Sequence, residues 1–310
     1  MTQFIVENNG EPRVNIPHLL HAQTLSVRAG MRMTLLDLEL PEWDEKHKRD
    51  RLCGTSMTGW KDMVDYIGME EEEQNHILSL LKEVSFTESI RYANSLRIAN
   101  PLLVTTVKPE GTLSQVAGGV SSGLHVSHAP YYTRRIRINA TDPLAKVVQN
   151  YNWNIHAEVG TVIDGEVIQD KAILATQEAI EVATTLVIDF PVKSMAKKTR
   201  AEQSLSEQFE TYFQFQEFFT QHNSSNTITV RDDELEEAQK IIMDNWDDFV
   251  GVSFIPYSGG TFALMPYEEI TEDEYNTMTE GFDEFNLEDL YVLEEYASAS
   301  ELEDDCDDGT

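Results

Sequence analysis

The run PLLVTTV at residues 101–107 constrains this chain more than any other part of it. It carries no charge and does not alternate polar with apolar residues. A strand of that kind has no face to offer water, so it must be covered on both sides. Strand-like stretches at 32–37, 154–159, 186–190, 227–230 and 252–255 alternate with helical patterns at 18–29, 61–67, 72–84, 169–185, 204–221 and 233–246. A further helix begins at Thr87 and places Ile90, Ala93 and Leu96 on one face. This alternation predicts an α/β fold with parallel strands and crossover helices. Residues 51–60 read as a strand entering a turn, residues 1–15 as loose polar chain, and Pro191 as the stop of the strand before it. Asp142-Pro143 can cap and start a short helix.

Charge narrows the partners. The 310 residues hold 23 basic and 55 acidic side chains, a formal charge of −32. A surface this acidic disfavours DNA binding, which needs basic neutralisation of phosphates, and docking on anionic membranes. It fits a protein kept soluble in high salt, as from a halophilic source, and equally an acidic mesophilic one. No apolar run reaches the roughly 18 residues of a membrane span, and the first residues lack an export signal. The expectation is a cytoplasmic protein. Cys53 and Cys306 are too few for a disulfide scaffold or a thiolate metal site.

The exception to the acidic character follows the apolar run. Pro109 ends it, and Glu110, Gly111, Thr112, Leu113 and Ser114 form a turn of small and hydroxyl residues. A second glycine-serine turn at residues 118–123 contains Ser121 and Gly123, and basic residues Arg134, Arg135 and Arg137 come next. Such turns present backbone N–H groups and hydroxyls to an anion, above all a phosphate. Glu110 must then point away from the anion or cap a helix end. Alternate strand residues face opposite sides, so the three arginines are expected to pair with local carboxylates. His125 and His128 lie in the same region without an evident third metal ligand. Cys53, Trp60 and the aromatic series Phe209, Tyr212, Phe213, Phe215, Phe218, Phe219 read as core packing.

Six segments, at 33–44, 49–60, 103–115, 131–137, 187–194 and 260–271, resemble in order the C-terminal part of the catalytic subunit of adenosylcobalamin-dependent (class II) ribonucleotide reductases. The resemblance implies the C-terminal portion of a ten-stranded α/β barrel over residues 21–266. It leaves residues 1–20 as an N-terminal extension and 267–310 as an acidic segment with a mobile redox tail. It implies that Pro109, Glu110, Gly111, Thr112, Leu113, Ser114, Ser121 and Gly123 bind the phosphate of a ribonucleotide substrate. Cys306 matches the first of two tail cysteines that take electrons from a thioredoxin-like dithiol protein, the second falling just beyond Thr310. The radical cysteine would lie upstream of everything present. A separate polypeptide is therefore expected to supply the N-terminal part of the reductase, with adenosylcobalamin held by the complete enzyme and this chain inactive alone. The alternatives are an inactive remnant or phosphate-ligand binding protein, or a fragment of a class I large subunit. Tyr257, Tyr267, Tyr291 and Tyr296 do not form the tyrosine relay expected of class I.

Overall fold

A computed structural model describes residues 1–257, 263–281 and 283–293. The chain divides into two compact units. The first comprises Met1–Pro130 and Ser194–Tyr257; the second comprises Tyr131–Lys193 with the described residues after Tyr257.

In the first unit the apolar run is the central element. Cys53 and Thr55 donate their amides to the carbonyls of Leu103 and Val104, and Thr106 returns a bond to Thr55. On the other side Val107 donates to Asn223, and Ser225 donates back to Val107. Both neighbours run parallel to it, through the pairs Thr55–Thr105 and Val107–Ser224. Val104, Thr105, Thr106 and Val107 are all buried. From Val104 to Val107 the segment is covered on both sides as expected, through single bridges rather than a regular ladder, whereas Leu102 is exposed. A parallel pair of strands, Thr227–Val230 and Ser253–Pro256, extends the unit. The second of these was expected to be buried, yet all four of its residues are exposed.

Two helices pack against each other beside this core. Ile16–Met33 starts where the Asn15 side chain accepts from the His18 amide. It continues through the start of the stretch expected as a strand at 32–37. Glu71–Leu96 is one helix of 26 residues where two were expected. The β-branched and aromatic residues at 84–86 suggested a break, but tertiary packing overrides that weak preference. Ser85 donates back to Leu81 in the helix, and Gln23 of the neighbouring helix donates to the Ser85 hydroxyl, 2.8 Å away. Residues 1–15 are not loose. Ile5–Asn8 and Glu11–Val14 form an antiparallel hairpin, turned by Asn9 and Gly10 at φ 55° and 82°, the pattern Asn-Gly favours. The helix Leu205–Phe218 carries a complete capping box between Ser204 and Glu207. It buries Phe209, Tyr212 and Phe215, with Phe219 just beyond its end. Trp60 meets Phe215 edge-on at 5.5 Å.

The second unit is antiparallel, contrary to the expectation of parallel pairing throughout. Its four strands lie in the order Tyr267–Glu269, Tyr131–Asn139, Thr185–Lys193, Ile155–Ala157. Pro191 does not stop its strand; it sits opposite Thr133. The neighbour on its far side pairs only with Leu186, Val187 and Ile188. That edge is therefore open at Pro191, and the missing N–H leaves no ladder bond unmade. The helical stretch expected at 169–185 is two short helices, Lys171–Leu174 and Gln177–Val182, capped by Asp170 and Thr176. Asp142 caps its helix as expected. Among the described residues no helix is long and apolar enough to cross a membrane.

Candidate phosphate-binding site

The site begins where the buried segment leaves the core of the first unit. The Lys108 amide donates to the Ser56 hydroxyl at 3.0 Å, and Pro109 then turns the chain outward. Glu110 adopts φ 55°, which lets the Ser114 amide bond the Glu110 carbonyl at 3.0 Å. One helical turn, Leu113–Val116, follows. The amides of Gly111, Thr112 and Leu113 donate to no acceptor among the described residues. Thr112 occupies the cap position without a side-chain capping bond. All three residues are exposed, and a side chain added at Gly111 would meet nothing within 4 Å. Three free amides and a free hydroxyl at one turn can receive an anion.

The second turn supports the first. Ser114 is fully buried, and its hydroxyl donates to the Gly111 carbonyl at 3.2 Å and lies 3.0 Å from the Ser122 hydroxyl. Gly123 has φ 52°, and a β-carbon there would sit 2.7 Å from the Lys108 carbonyl oxygen. Only glycine allows that approach. The Ser121 amide donates to the Asp62 carboxylate at 2.6 Å. Its carbonyl accepts from the Gly59 amide and the Thr58 hydroxyl, both at 2.9 Å. The Gly123 amide donates to Thr58 at 3.2 Å.

Electrostatics in this region follow from burial. Burial pushes the Asp62 carboxyl up, with the Ser121 amide acting against it. Burial likewise raises the Glu110 carboxyl, opposed by Ser56. A carboxyl biased toward its neutral form repels an anion less than a full charge would. His125 donates through Nδ1 to the Ser122 carbonyl at 2.9 Å and accepts at Nε2 from the Thr227 amide at 3.3 Å. Those two bonds define one neutral tautomer, and burial holds its pKa below the ordinary value. His128 is lowered to about 4, first by burial and then by the Arg200 charge.

The predicted residues therefore separate into two groups. Gly111, Thr112 and Leu113 face outward with open donors, whereas the Ser114 hydroxyl, the Ser121 backbone and the space at Gly123 are used within the protein. Pro109 and Glu110 shape the turn. Cys306 lies outside the described residues. Cys53 is buried against Gly30, where an added β-carbon would lie 2.5 Å from its sulfur, and burial raises its thiol. Arg135 pairs with Asp189 and Glu268, and Arg137 pairs with Glu158. Arg134 instead bonds the Pro266 carbonyl and lies 4.3 Å from the centre of the Tyr267 ring. Sequence reasoning passed over Asp62 and Arg200, which carry no local signal: one sits within a helix, the other after two lysines.

No protein-family model matches the chain. Over 83% of its length it is 26% identical to an adenosylcobalamin-dependent ribonucleoside-triphosphate reductase of Lactobacillus acidophilus, of which it covers 36%. A reductase of the same description from Euglena gracilis is 28% identical over 83% of this chain and 31% of its own length. Its homologues are adenosylcobalamin-dependent ribonucleoside-triphosphate reductases. The chain spans about a third of the length of these curated relatives. The solved structure of a B-12 dependent (class II) ribonucleotide reductase matches with a TM-score of 0.73 at 21% identity, covering 93% of this chain and 43% of that one. The α/β fold is that of part of a class II reductase.

Proposed function

We propose that this chain is the part of an adenosylcobalamin-dependent ribonucleotide reductase that holds the phosphate end of the ribonucleotide. The observation that carries the reading is the set of unbonded amides at Gly111, Thr112 and Leu113, beside the free Thr112 hydroxyl. A phosphate seated there accepts hydrogen bonds from donors that no protein group occupies, so binding breaks no internal bond. Ser114, Ser121, Ser122 and Gly123 keep the turn in place from behind.

The chain's own residues bind and orient; the reducing chemistry belongs to the whole enzyme. Cys53, buried with a raised thiol pKa, is a poor candidate for radical or dithiol chemistry. The described clefts hold about 440, 500 and 490 Å³, the size of small-molecule pockets. We assign the cofactor to the complete reductase. A separate polypeptide carrying the N-terminal part of the enzyme and a thioredoxin-like dithiol acting at Cys306 complete the proposal.

Equilibrium binding of a ribonucleotide to the chain, with its partner polypeptide present, tests the reading. Thr112→Ala removes one hydrogen bond to a charged group, worth about 1.5–3 kcal/mol, so affinity should fall by about tenfold or more. Unchanged affinity would refute the site. Co-purification from the native source tests the partner, and recovery of a stable chain without one would count against it.

A further inference from the structure

Two polar side chains of the first unit face one cleft with nothing in the protein to bond. Lys61 is the second residue of the helix Trp60–Ile67, which is anchored by the buried Trp60, Met63 and Val64. The half-buried Lys61 amine makes no hydrogen bond or ion pair among the described residues. The other lysines that are not exposed are all bonded. Lys48 and Lys198 pair with carboxylates, and Lys82 donates to the Glu217 carbonyl at 3.0 Å. Gln203 is only 9% exposed, and its side-chain amide also has no partner among the described residues. Its place is fixed, because its backbone amide donates to the Thr199 carbonyl at 3.2 Å and Thr199 pairs with Ser127 in a parallel bridge. Lys61 and Gln203 both line a cleft of about 500 Å³, and neither polar group is sealed away from it.

The charges around Lys61 are already engaged elsewhere. Asp65, one helical turn on, accepts from the Lys198 amide at 3.0 Å. Glu207 pairs with the Lys198 ammonium, and Glu210 accepts from the Ser206 hydroxyl at 3.1 Å. Burial is the largest influence on Lys61 and lowers its pKa; Asp65 and Glu207 oppose that, Lys198 adds to it and Glu210 opposes it. A desolvated amine beside another cation keeps its lone pair free more often than an exposed lysine does. The three carboxylates in the cleft wall disfavour an anionic ligand. The Gln203 amide, with a donor and an acceptor both open, suits a hydroxyl group.

We propose that Lys61 is the amine of a covalent binding site for a small uncharged hydroxy-aldehyde, with Gln203 holding its hydroxyl group. The site uses none of the residues of the phosphate turns and does not rest on the nucleotide reading. The Lys61 nitrogen attacks the carbonyl carbon, and a C–N bond forms as the carbonyl π pair moves onto oxygen. Both protons of the neutral amine pass by way of solvent to that oxygen, which leaves as water. An imine remains, and nothing is oxidised or reduced in the step.

The test is reductive trapping. The full chain is incubated with D-glyceraldehyde at neutral pH, the imine is fixed with cyanoborohydride, and each lysine is read by peptide mass spectrometry. Lys61 should be labelled at least about tenfold faster than the exposed Lys46, Lys108 and Lys146, and its labelling should persist to lower pH than theirs. Gln203→Leu should slow the labelling of Lys61 by about fivefold or more, the equivalent of one neutral hydrogen bond, and leave Lys46 unchanged. Propionaldehyde, which has no hydroxyl, should show no effect of Gln203→Leu, and glyceraldehyde 3-phosphate should label Lys61 more slowly than glyceraldehyde. Lys61 labelled no faster than the exposed lysines overturns the proposal, and that comparison needs no variant. Fast labelling that Gln203→Leu does not slow also overturns it, since Lys61 would then be a reactive amine without a binding site. Faster labelling by the phosphorylated aldehyde overturns the uncharged ligand class.

Discussion

Replacing Gly123 with alanine strikes the point where the two turns meet. At φ 52° the backbone occupies the left-handed region, where a residue with a β-carbon costs about 1–2 kcal/mol more than glycine. The new β-carbon would also lie 2.7 Å from the Lys108 carbonyl oxygen and 3.7 Å from a Val107 methyl. A backbone oxygen cannot rotate away as a side chain can, so one turn must move by several tenths of an ångström. Overpacking of this kind costs about 1–3 kcal/mol, which makes about 2–5 kcal/mol in all. The movement pulls Ser122 from Ser114, so the 111–113 turn should lose its alignment and nucleotide affinity should fall with stability. Urea unfolding, with hydrogen exchange over residues 105–125 to localise the effect, measures the first, and equilibrium binding the second. Gly111→Ala is the matching control. Its φ is not positive and nothing lies within 4 Å, so stability should change by less than about 0.5 kcal/mol. Its methyl group would nonetheless obstruct the anion's approach, and affinity should drop about tenfold. A Gly123→Ala chain with less than about 1 kcal/mol lost and unaltered affinity would refute this account of the coupled turns.

Four other outcomes are expected. His128 titrates at about 4 when folded against 6.5 ordinarily, so the unfolded chain takes up the proton first as pH falls. Its contribution is complete above pH 6.5 and is lost toward pH 4, by about 1 kcal/mol per pH unit after allowing for partial exposure; His128→Gln should flatten that slope in pH-dependent unfolding. Arg200→Gln removes a positive neighbour and should raise the His128 pKa, as followed by NMR titration. Asp189→Ala takes one of its two carboxylates from the buried Arg135, whose side chain is 0% exposed, and should cost about 1.5–3 kcal/mol, seen as lost exchange protection in the four-stranded sheet. Phe215→Ala should cost about 3–5 kcal/mol and shift the emission of Trp60, which it touches edge-on.

What was legible in the sequence was whatever neighbouring residues decide together. The unalternating run at 101–107, the cap at Asp142, the aromatic stripe of the helix Leu205–Phe218 and the turn around Gly111 all carry their cause within a few positions. The Asn9-Gly10 hairpin was missed, because its polar strands read as loose chain. Tertiary structure decided whatever depends on a distant partner. Gln23 meets Ser85 and keeps one long helix whole; an open sheet edge tolerates Pro191. Ser114 turns inward to Ser122 rather than outward to a ligand. Gly123 is required by the Lys108 carbonyl, and Arg135 finds Asp189 on the neighbouring strand, 54 residues along the chain. Backbone preference and hydrophobic period act over a turn or two of chain, whereas burial and charge pairing are set by residues tens of positions away, and only the folded chain brings those together.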